Sequence, residues 1–438
     1  MNGVSLSLPW GPDTVTASHE CLDLLDTLTV REAAPLPDPA NDMLRQLENS
    51  AESTSSALAG LFPGARVCII VSDATRRTGV HLLLPALLDA LAQRGVCRED
   101  VRFLVATGVH RAPTTAELER IFGPPLYRDF ADRIVAHDAD DTNGLRFLGN
   151  TRRGTPVWIN REALEADFVI VTGTVVLHYF AGYGGGRKAV VPGVAGRETI
   201  AANHALNLDP VSDRLNPAVR TGVTAGNPVA EDMAEAAAMV PVHLCVNTVL
   251  NRRGDICGVH TGTMAAAHAA ACRQAASLYQ VPLGESADLV VASAGSAPNF
   301  LQSHKALHNA WQARRPGGLV LLLAPCPEGL GGSGFARWLS LGDPAAVIAG
   351  LRAQADINGQ TALSTLEKAP HTVLVSGLSA DDLGLLRATG ARSFQEGLDL
   401  CVARLRASGV ARPTVLLMPE AGYTVPWGVA EGDSQAVP

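Results

Sequence analysis

Residues 172–206 read TGTVVLHYFAGYGGGRKAVVPGVAGRETIAANHAL, and they follow the apolar run FVIV at 168–171. That run is short, continuous and rich in β-branched residues, the pattern of a strand buried on both faces and ending in a loop. His178 comes next, then Gly182-Tyr183-Gly184-Gly185-Gly186-Arg187-Lys188, then the turn Pro192-Gly193 with Gly196. A short helix is expected to begin near Glu198 and to carry His204. Strand, glycine loop, lysine, second turn and histidine-bearing helix point to a cradle for an anionic ligand with reactive groups around it. A P-loop needs glycine just before its lysine and a hydroxyl just after it, but Arg187 and Ala189 stand there. A dinucleotide fingerprint needs a third glycine where Arg187 sits, so that motif fails too.

The same strand-then-loop pattern extends outward in both directions. ARVCIIVSD delivers Asp73, Thr75, Arg76 and Arg77 to a loop, and a helix with Leu84, Leu87, Leu88 and Leu91 on one face follows, ending near Gly95. VRFLVATGVH delivers Thr107, Gly108 and His110, and Thr114 with Glu117 has capping-box spacing for the next helix. RIVAHDA and PVWIN read as further short strands and REALEAD as a helix. This alternation predicts a mostly parallel sheet, in which ligands bind beyond the carboxyl ends of the strands. Asp73, Arg76, His110 and His178 all follow predicted strands and are expected to share one rim.

Further on, VHLCVNTVL and DICGVHTG form an expected hairpin, and an alanine-rich helix leads out of the first domain. The pattern restarts near ADLVVASAG and repeats through LVLLLAPC, HTVLVSG and PTVLLMP, with helices between. The expected architecture is therefore two α/β domains with mostly parallel sheets, spanning residues 1–283 and 284–438. SLSLPWGPDTVTA is expected to be an edge hairpin, SAESTSSALAG (50–60) a helix, and the tail EGDSQAVP disordered.

Composition narrows the function. Net charge is −8 with 18% charged and 5% aromatic residues, so neither a basic footprint nor a base-stacking surface for nucleic acid is present. The start, MNGVSLSLPWGPD, has neither a basic nor an apolar leader segment, and GGLVLLLAPC is about half the ~20 residues of a spanning helix. A cytoplasmic protein without membrane attachment is expected. Eight cysteines without a CxxC read for the most part as small buried residues; Cys326 is singled out because its loop follows a strand.

Among twelve histidines, His110 and His178 have the placement of acid/base groups, while His137 reads as a loop residue. His204 alone on its helix does not make a metal site. Lys188 suits a counter-charge or, if desolvated, a nucleophile. Lys305, in QSHKALHNA, is expected on the first helix of the second domain, either turned toward a cleft or simply solvated, and Arg76 has the fork to clamp a carboxylate or to pair with Asp73.

Taken in order, Asp73-Ala74-Thr75-Arg76, Thr107-Gly108-Val109-His110-Arg111, the loop from His178 to Lys188, Thr199-Ile200 with His204, and Gln302-Ser303-His304-Lys305-Ala306 resemble the nickel-dependent lactate racemase family. The resemblance implies a racemase or epimerase of a 2-hydroxy acid, with its site in the interdomain cleft and the C-terminal domain closing over the substrate. It implies a nickel pincer nucleotide covalently held by Lys188, with His204 as nickel ligand and Asp73, Thr75, Gly184, Gly185 and Gly186 beside the cofactor. His110 and His178 would be the acid/base pair, and Arg76, Gln302 and Lys305 would bind the substrate. The partners implied are the small-molecule 2-hydroxy acid and, transiently, cofactor-making enzymes; a homo-oligomer is compatible with it. Arg77-Thr78 stands where proline often follows the arginine, and Gly184 where serine is common, so larger aliphatic, aromatic or sugar acids stay open beside lactate. Two rival readings are a zinc hydrolase built on His110, His178 and His204, and a non-catalytic nucleotide-binding protein.

Overall fold

The structure is a computed structural model that describes residues 3–48 and 57–428. The helix expected at 50–60 lies mostly, and the tail at 431–438 wholly, outside the described residues. The chain divides into two compact units, one of residues 32–210 and 216–278, the other of 1–31, 211–215 and 279–438.

The larger unit is built on a six-stranded sheet in the order Ile256–Gly262, Val242–Leu250, Phe168–Thr174, Val67–Ser72, Val101–Ala106, Ile134–Ala136. All neighbours are parallel except the hairpin pair Val242–Leu250 and Ile256–Gly262. The continuous apolar runs have the expected cause. Val67, Ile69 and Val71 enter the core on one face, Cys68 and Ile70 the core on the other, so alternate side chains are buried both ways. From Val67–Ser72 the chain moves outward through Val101–Ala106; from Phe168–Thr174 it moves the opposite way to Val242–Leu250. The two central strands therefore flank a topological switch point, where doubly wound sheets bind ligands. PVWIN does form a strand, but it pairs antiparallel with Leu145–Asn150 in a separate hairpin.

The second unit has a fully parallel six-stranded sheet, ordered Thr389–Ala391, Thr372–Val375, Arg314–Leu323, Ala287–Ser293, Thr414–Met418, Asp23–Thr27. Its last strand corrects the expected domain boundary at residue 1: the N-terminal segment belongs with the C-terminal unit, and that unit resumes at residue 279 rather than 284. The expected hairpin at the start is present, pairing Val4–Trp10 with Asp13–His19. Among the described residues no helix is long and apolar enough to cross a membrane. Five of the eight cysteines are buried, and burial pushes the thiols of Cys68, Cys245 and Cys401 up to about 12. Cys326 is buried beside Ser303 and is pushed up to about 11 by the same cause, so it is no nucleophile at neutral pH.

The second unit also buries a lysine. Lys368 Nζ donates to Ser364 Oγ (2.7 Å) and to the Ser364 carbonyl (3.2 Å), and burial lowers its pKa to about 8. The unfolded lysine, near its ordinary value, binds more protons than the folded one between about pH 8 and 10.4. Stability of this unit is therefore expected to rise by about 3 kcal/mol across that window. Urea unfolding followed at pH 8 and pH 10 measures it, and Lys368→Met should flatten the dependence.

Candidate active site

The glycine segment is seated on the carboxyl ends of the two central strands because both sides of the contact lack side chains. A Cβ on Gly173, at the end of Phe168–Thr174, would lie 3.6 Å from the Gly185 Cα and 3.7 Å from Ser72 Oγ. Gly185 has φ +71°, and a Cβ there would fall 2.6 Å from Val175 and 2.9 Å from Asn247 Oδ1. Gly186 has φ +48°, and a Cβ there would meet the His268 ring at 2.7 Å. The amides of Gly184, Gly186 and Lys188 donate to the Val176 carbonyl, Asn247 Oδ1 and the Gly185 carbonyl. These three amides are engaged inside the protein. The glycines serve to press the loop down and to hold the 3-10 turn Gly186–Ala189 that carries Lys188.

Arg187 fastens that turn from below. Its buried guanidinium donates to the Ala181 carbonyl (2.9 Å) and to His268 Nδ1 (3.1 Å), while His268 Nε2 donates to the Gly184 carbonyl (3.0 Å). Accepting at one nitrogen and donating at the other fixes the neutral tautomer of His268. Burial and the Arg187 charge push His268 down to about 4. The sequence pattern did not single out either residue for this task.

A third residue that the sequence pattern did not single out is Phe180, whose buried ring gathers three site candidates. The His178 ring meets it edge-on at 4.4 Å, the His204 ring at 4.9 Å, and Lys188 Nζ stands 5.2 Å from its centroid. His204 lies on the helix Arg197–Ala205 and is 3% exposed. Burial, with the charge of Lys188 adding to it, pushes its pKa to about 3 against the opposing effect of a hydrogen bond to the Ile200 backbone. It is thus a neutral imidazole at physiological pH, the form that ligates metals. His178 is half-buried, and its Nδ1 accepts from the amides of Phe180 (3.4 Å) and Ala181 (3.3 Å), which leaves the proton of the neutral ring on Nε2.

Asp73 and His110 are brought together at the ends of neighbouring strands. His110 Nδ1 lies 2.7 Å from Asp73 Oδ2, and Thr75 Oγ1 donates to Asp73 Oδ1 at 2.8 Å. Burial alone would raise the Asp73 carboxyl. The hydrogen bonds from His110 and Thr75 and the charges of His110 and Arg76 outweigh it and hold the group below the usual carboxylate range. An ionised Asp73 draws the His110 proton to Nδ1 and leaves Nε2 as an acceptor on a ring 47% exposed. Asp73 and Thr75 therefore support His110 directly. The turn carrying His110 is docked by Gly108, whose amide donates to the Gly193 carbonyl (2.9 Å). Arg76 is exposed beside Asp73. Arg77 lies across the turn at Gly254, where a Cβ would fall 2.4 Å from its guanidinium carbon.

Gln302 and Lys305 are in the other unit, on the helix Phe300–Gln312, whose N-cap Asn299 accepts the Gln302 amide. Both are exposed, one turn apart, while Ser303, His304, Ala306 and Leu307 are buried. His137 is structural: it is buried, with Nε2 bonded to the Ala195 carbonyl and Nδ1 to Asn160.

Among the described residues no group of three or more His, Cys, Asp and Glu side chains could hold a metal ion. His110, His178 and His204 thus do not form the three-histidine zinc site of the hydrolase reading. The groups gathered at Phe180 are two imidazoles, one of them buried and neutral, and one amine.

Residues 11–214 match the lactate racemase N-terminal domain family. The chain is 33% identical over 340 residues to the lactate racemase of Lactiplantibacillus plantarum, covering 76% of this chain and 77% of that protein. It is 34% identical over 275 residues to the lactate racemase of Thermoanaerobacterium thermosaccharolyticum, covering 62% of each. A solved structure described as the lactate racemase apoprotein from that organism superposes with a TM-score of 0.85 at 25% identity, covering 97% of this chain and 100% of that one.

The two neutral histidines make the unit acid-sensitive. Unfolded histidine binds protons below about pH 6.5, whereas folded His204 and His268 resist protonation until about 3 and 4. The stability they contribute is fully present above pH 6.5 and is expected to fall by about 3 kcal/mol per pH unit between 6.5 and 4. His268→Gln keeps a donor for the Gly184 carbonyl and should halve that slope in urea titrations.

Proposed function

The chain belongs to the lactate racemase family and is an isomerase, and from that premise we propose that it inverts the α-carbon of a 2-hydroxy acid by reversible hydride transfer, with a nickel pincer nucleotide joined to Lys188. The observation that carries this reading is the meeting of His178, Lys188 and His204 on the one buried ring of Phe180. The description of a solved relative as an apoprotein supports a bound cofactor in the family.

Lys188 would hold the cofactor through a thioamide-type bond, and His204 would be the protein's ligand to nickel. When bound, the group supplies an electrophilic pyridinium carbon tuned by a soft metal. The rest of the work falls to this chain's own side chains. His110 Nε2 takes the hydroxyl proton of the substrate, and Asp73 stabilises the imidazolium that forms while fixing the ring's orientation. His178 completes the acid/base pair from the other side: as the imidazolium it returns a proton to the substrate oxygen and reverts to the neutral ring, and for the opposite enantiomer the two exchange roles. Arg76, Lys305 and Gln302 hold the carboxylate end. Thr75 steadies Asp73, and the glycines 184–186 keep Lys188 in place.

The two departures from the family pattern do not narrow the substrate. Arg77 is turned onto Gly254, and a side chain at Gly184 would first meet Val176, at 3.4 Å. The substrate class is therefore the 2-hydroxy acids as a whole, lactate among them.

Intact mass of protein co-expressed with cofactor-making enzymes tests the tether. Lys188→Ala should lose both the adduct and racemisation, and a variant that racemises at the parent rate would refute it. His204→Ala should keep the adduct on Lys188 but lose nickel; equal nickel in variant and parent would remove His204 from the metal. A charge-assisted hydrogen bond is worth about 1.5–3 kcal/mol, so Arg76→Ala or Lys305→Ala should each raise the half-saturating 2-hydroxy acid concentration by roughly ten- to a hundredfold, with adduct mass unchanged. Loss of the adduct in Lys305→Ala would move that residue to the cofactor.

A further inference from the structure

Asp232 lies on the helix Pro228–Ala237 and is completely buried, yet no lysine, arginine or histidine stands within ion-pair distance of it among the described residues. Its carboxylate accepts instead from three neutral donors: Thr151 Oγ1, Thr155 Oγ1 (2.8 Å) and Asn203 Nδ2 (2.9 Å). Thr151 and Thr155 close the hairpin between Leu145–Asn150 and Pro156–Asn160, and Asn203 is the residue before His204 on the helix Arg197–Ala205. One carboxylate thus joins three elements whose sequence positions are far apart.

The Asn203 amide shows which contact governs. Its Nδ2 donates twice, to Asp232 and to the Val229 carbonyl (3.1 Å), while its buried Oδ1 has no hydrogen-bond partner among the described residues. Leaving that oxygen unsatisfied is unfavourable, so the grip on Asp232 and Val229 outweighs it. The same hairpin touches the His204 helix twice more: the Trp158 amide donates to Thr199 Oγ1 (2.9 Å), and the Gly196 amide to the Trp158 carbonyl (2.9 Å). On the surface Arg152 pairs with Glu235 and Arg153 with Glu231, but exposed pairs of this kind contribute little.

We propose that Asp232 is a positioning residue for His204: through Asn203 it locks the His204 helix against its two neighbours and so fixes where the imidazole stands beside Phe180. The proposal rests on the reading of His204 as a metal ligand, and it acts on that ligand's orientation as outer hydrogen-bond partners do in metal sites. Ring position matters because one imidazole is the whole of the protein's ligand set there in that reading. A shift of the helix along its axis would move His204 off the Phe180 edge without disturbing Lys188, which is held by a different set of contacts.

The test separates helix position from general stability. Asp232→Ala should speed hydrogen exchange of the amides of residues 200–205 in the apoprotein by about tenfold or more, leaving the strands at 67–72 and 168–174 protected. In protein made with the cofactor enzymes it should keep the Lys188 adduct by intact mass while weakening nickel retention by about ten- to a hundredfold. Asp232→Asn retains an acceptor for Asn203, and threonine hydroxyls accept as well as donate, so it should restore both readouts. Asn203→Ala cuts the link alone and should reproduce the split seen in Asp232→Ala. Unchanged exchange and nickel in both alanine variants overturns the proposal. So does joint loss of adduct, nickel and sheet protection in Asn203→Ala, which would make the network a support of the whole unit. If instead His204→Ala keeps its nickel, the ligand reading fails, and exchange in the apoprotein still decides whether Asp232 holds the helix.

Discussion

Everything at the site depends on how closely one backbone approaches another. Gly185 rests on Gly173 next to Ser72, with no side chain between the loop and the ends of the two central strands. Any larger residue at 185 or 186 would run into Val175, Asn247 or His268, and positive φ adds strain of its own. This close approach puts Lys188 over the switch point of the sheet. A flexible glycine loop would give the lysine reach but no address, whereas this one is internally bonded at three amides and fastened by Arg187. The glycines make that close packing possible.

Burial then sorts the titratable groups by role. His204 and His268 are enclosed and neutral at physiological pH; His110 is half-exposed and tied to an ionised carboxylate. A structural bridge such as His268 must keep its tautomer, and in the proposed reading a metal ligand at His204 must keep its lone pair; removing water serves both. The general base of that reading needs the opposite: an exposed nitrogen and a charge behind it to receive the proton. Asp73 illustrates the balance, since burial pushes it one way and three neighbours prevail in the other.

The strands were legible because their apolar runs are fully buried, and the loops because each run stops at glycine, serine or aspartate. The capping box at Thr114 and Glu117 is present as its spacing predicts. What the pattern hid is what depends on distant partners. Asp23–Thr27 is short and mostly exposed, carries no alternation, and pairs with a strand at the far end of the chain, so nothing local announces that it belongs to the C-terminal unit. The helices Ser333–Leu339 and Ile357–Lys368 have little local signal, the first amid glycines and the second with a largely polar sequence. Phe180 sits in a string of aromatics where no spacing marks it as the ring on which three site residues meet. Arg187 and His268 are 81 residues apart, and Asp73 read as a neighbour of the cofactor because its pairing with His110 is a fact of the sheet's order.

The two rim histidines end in opposite tautomers, and the reason is purely local. His110 gives its Nδ1 proton to a carboxylate at the end of the adjacent strand, whereas His178 receives at Nδ1 from the amides of the two-residue bend that follows it. One ring therefore offers a lone pair at Nε2 and the other a proton at the same atom. Both tautomers are set by hydrogen bonds of the fold itself, so the difference is in place before anything binds. In the proposed reading His110 can accept a hydroxyl proton as it stands, with Asp73 behind it to stabilise the charge. Loss of the single proton of neutral His178 would leave an imidazolate, so that ring can act as an acid only as the imidazolium. The two rings would therefore enter the proposed reaction from different states, one ready as a base and the other needing a proton first.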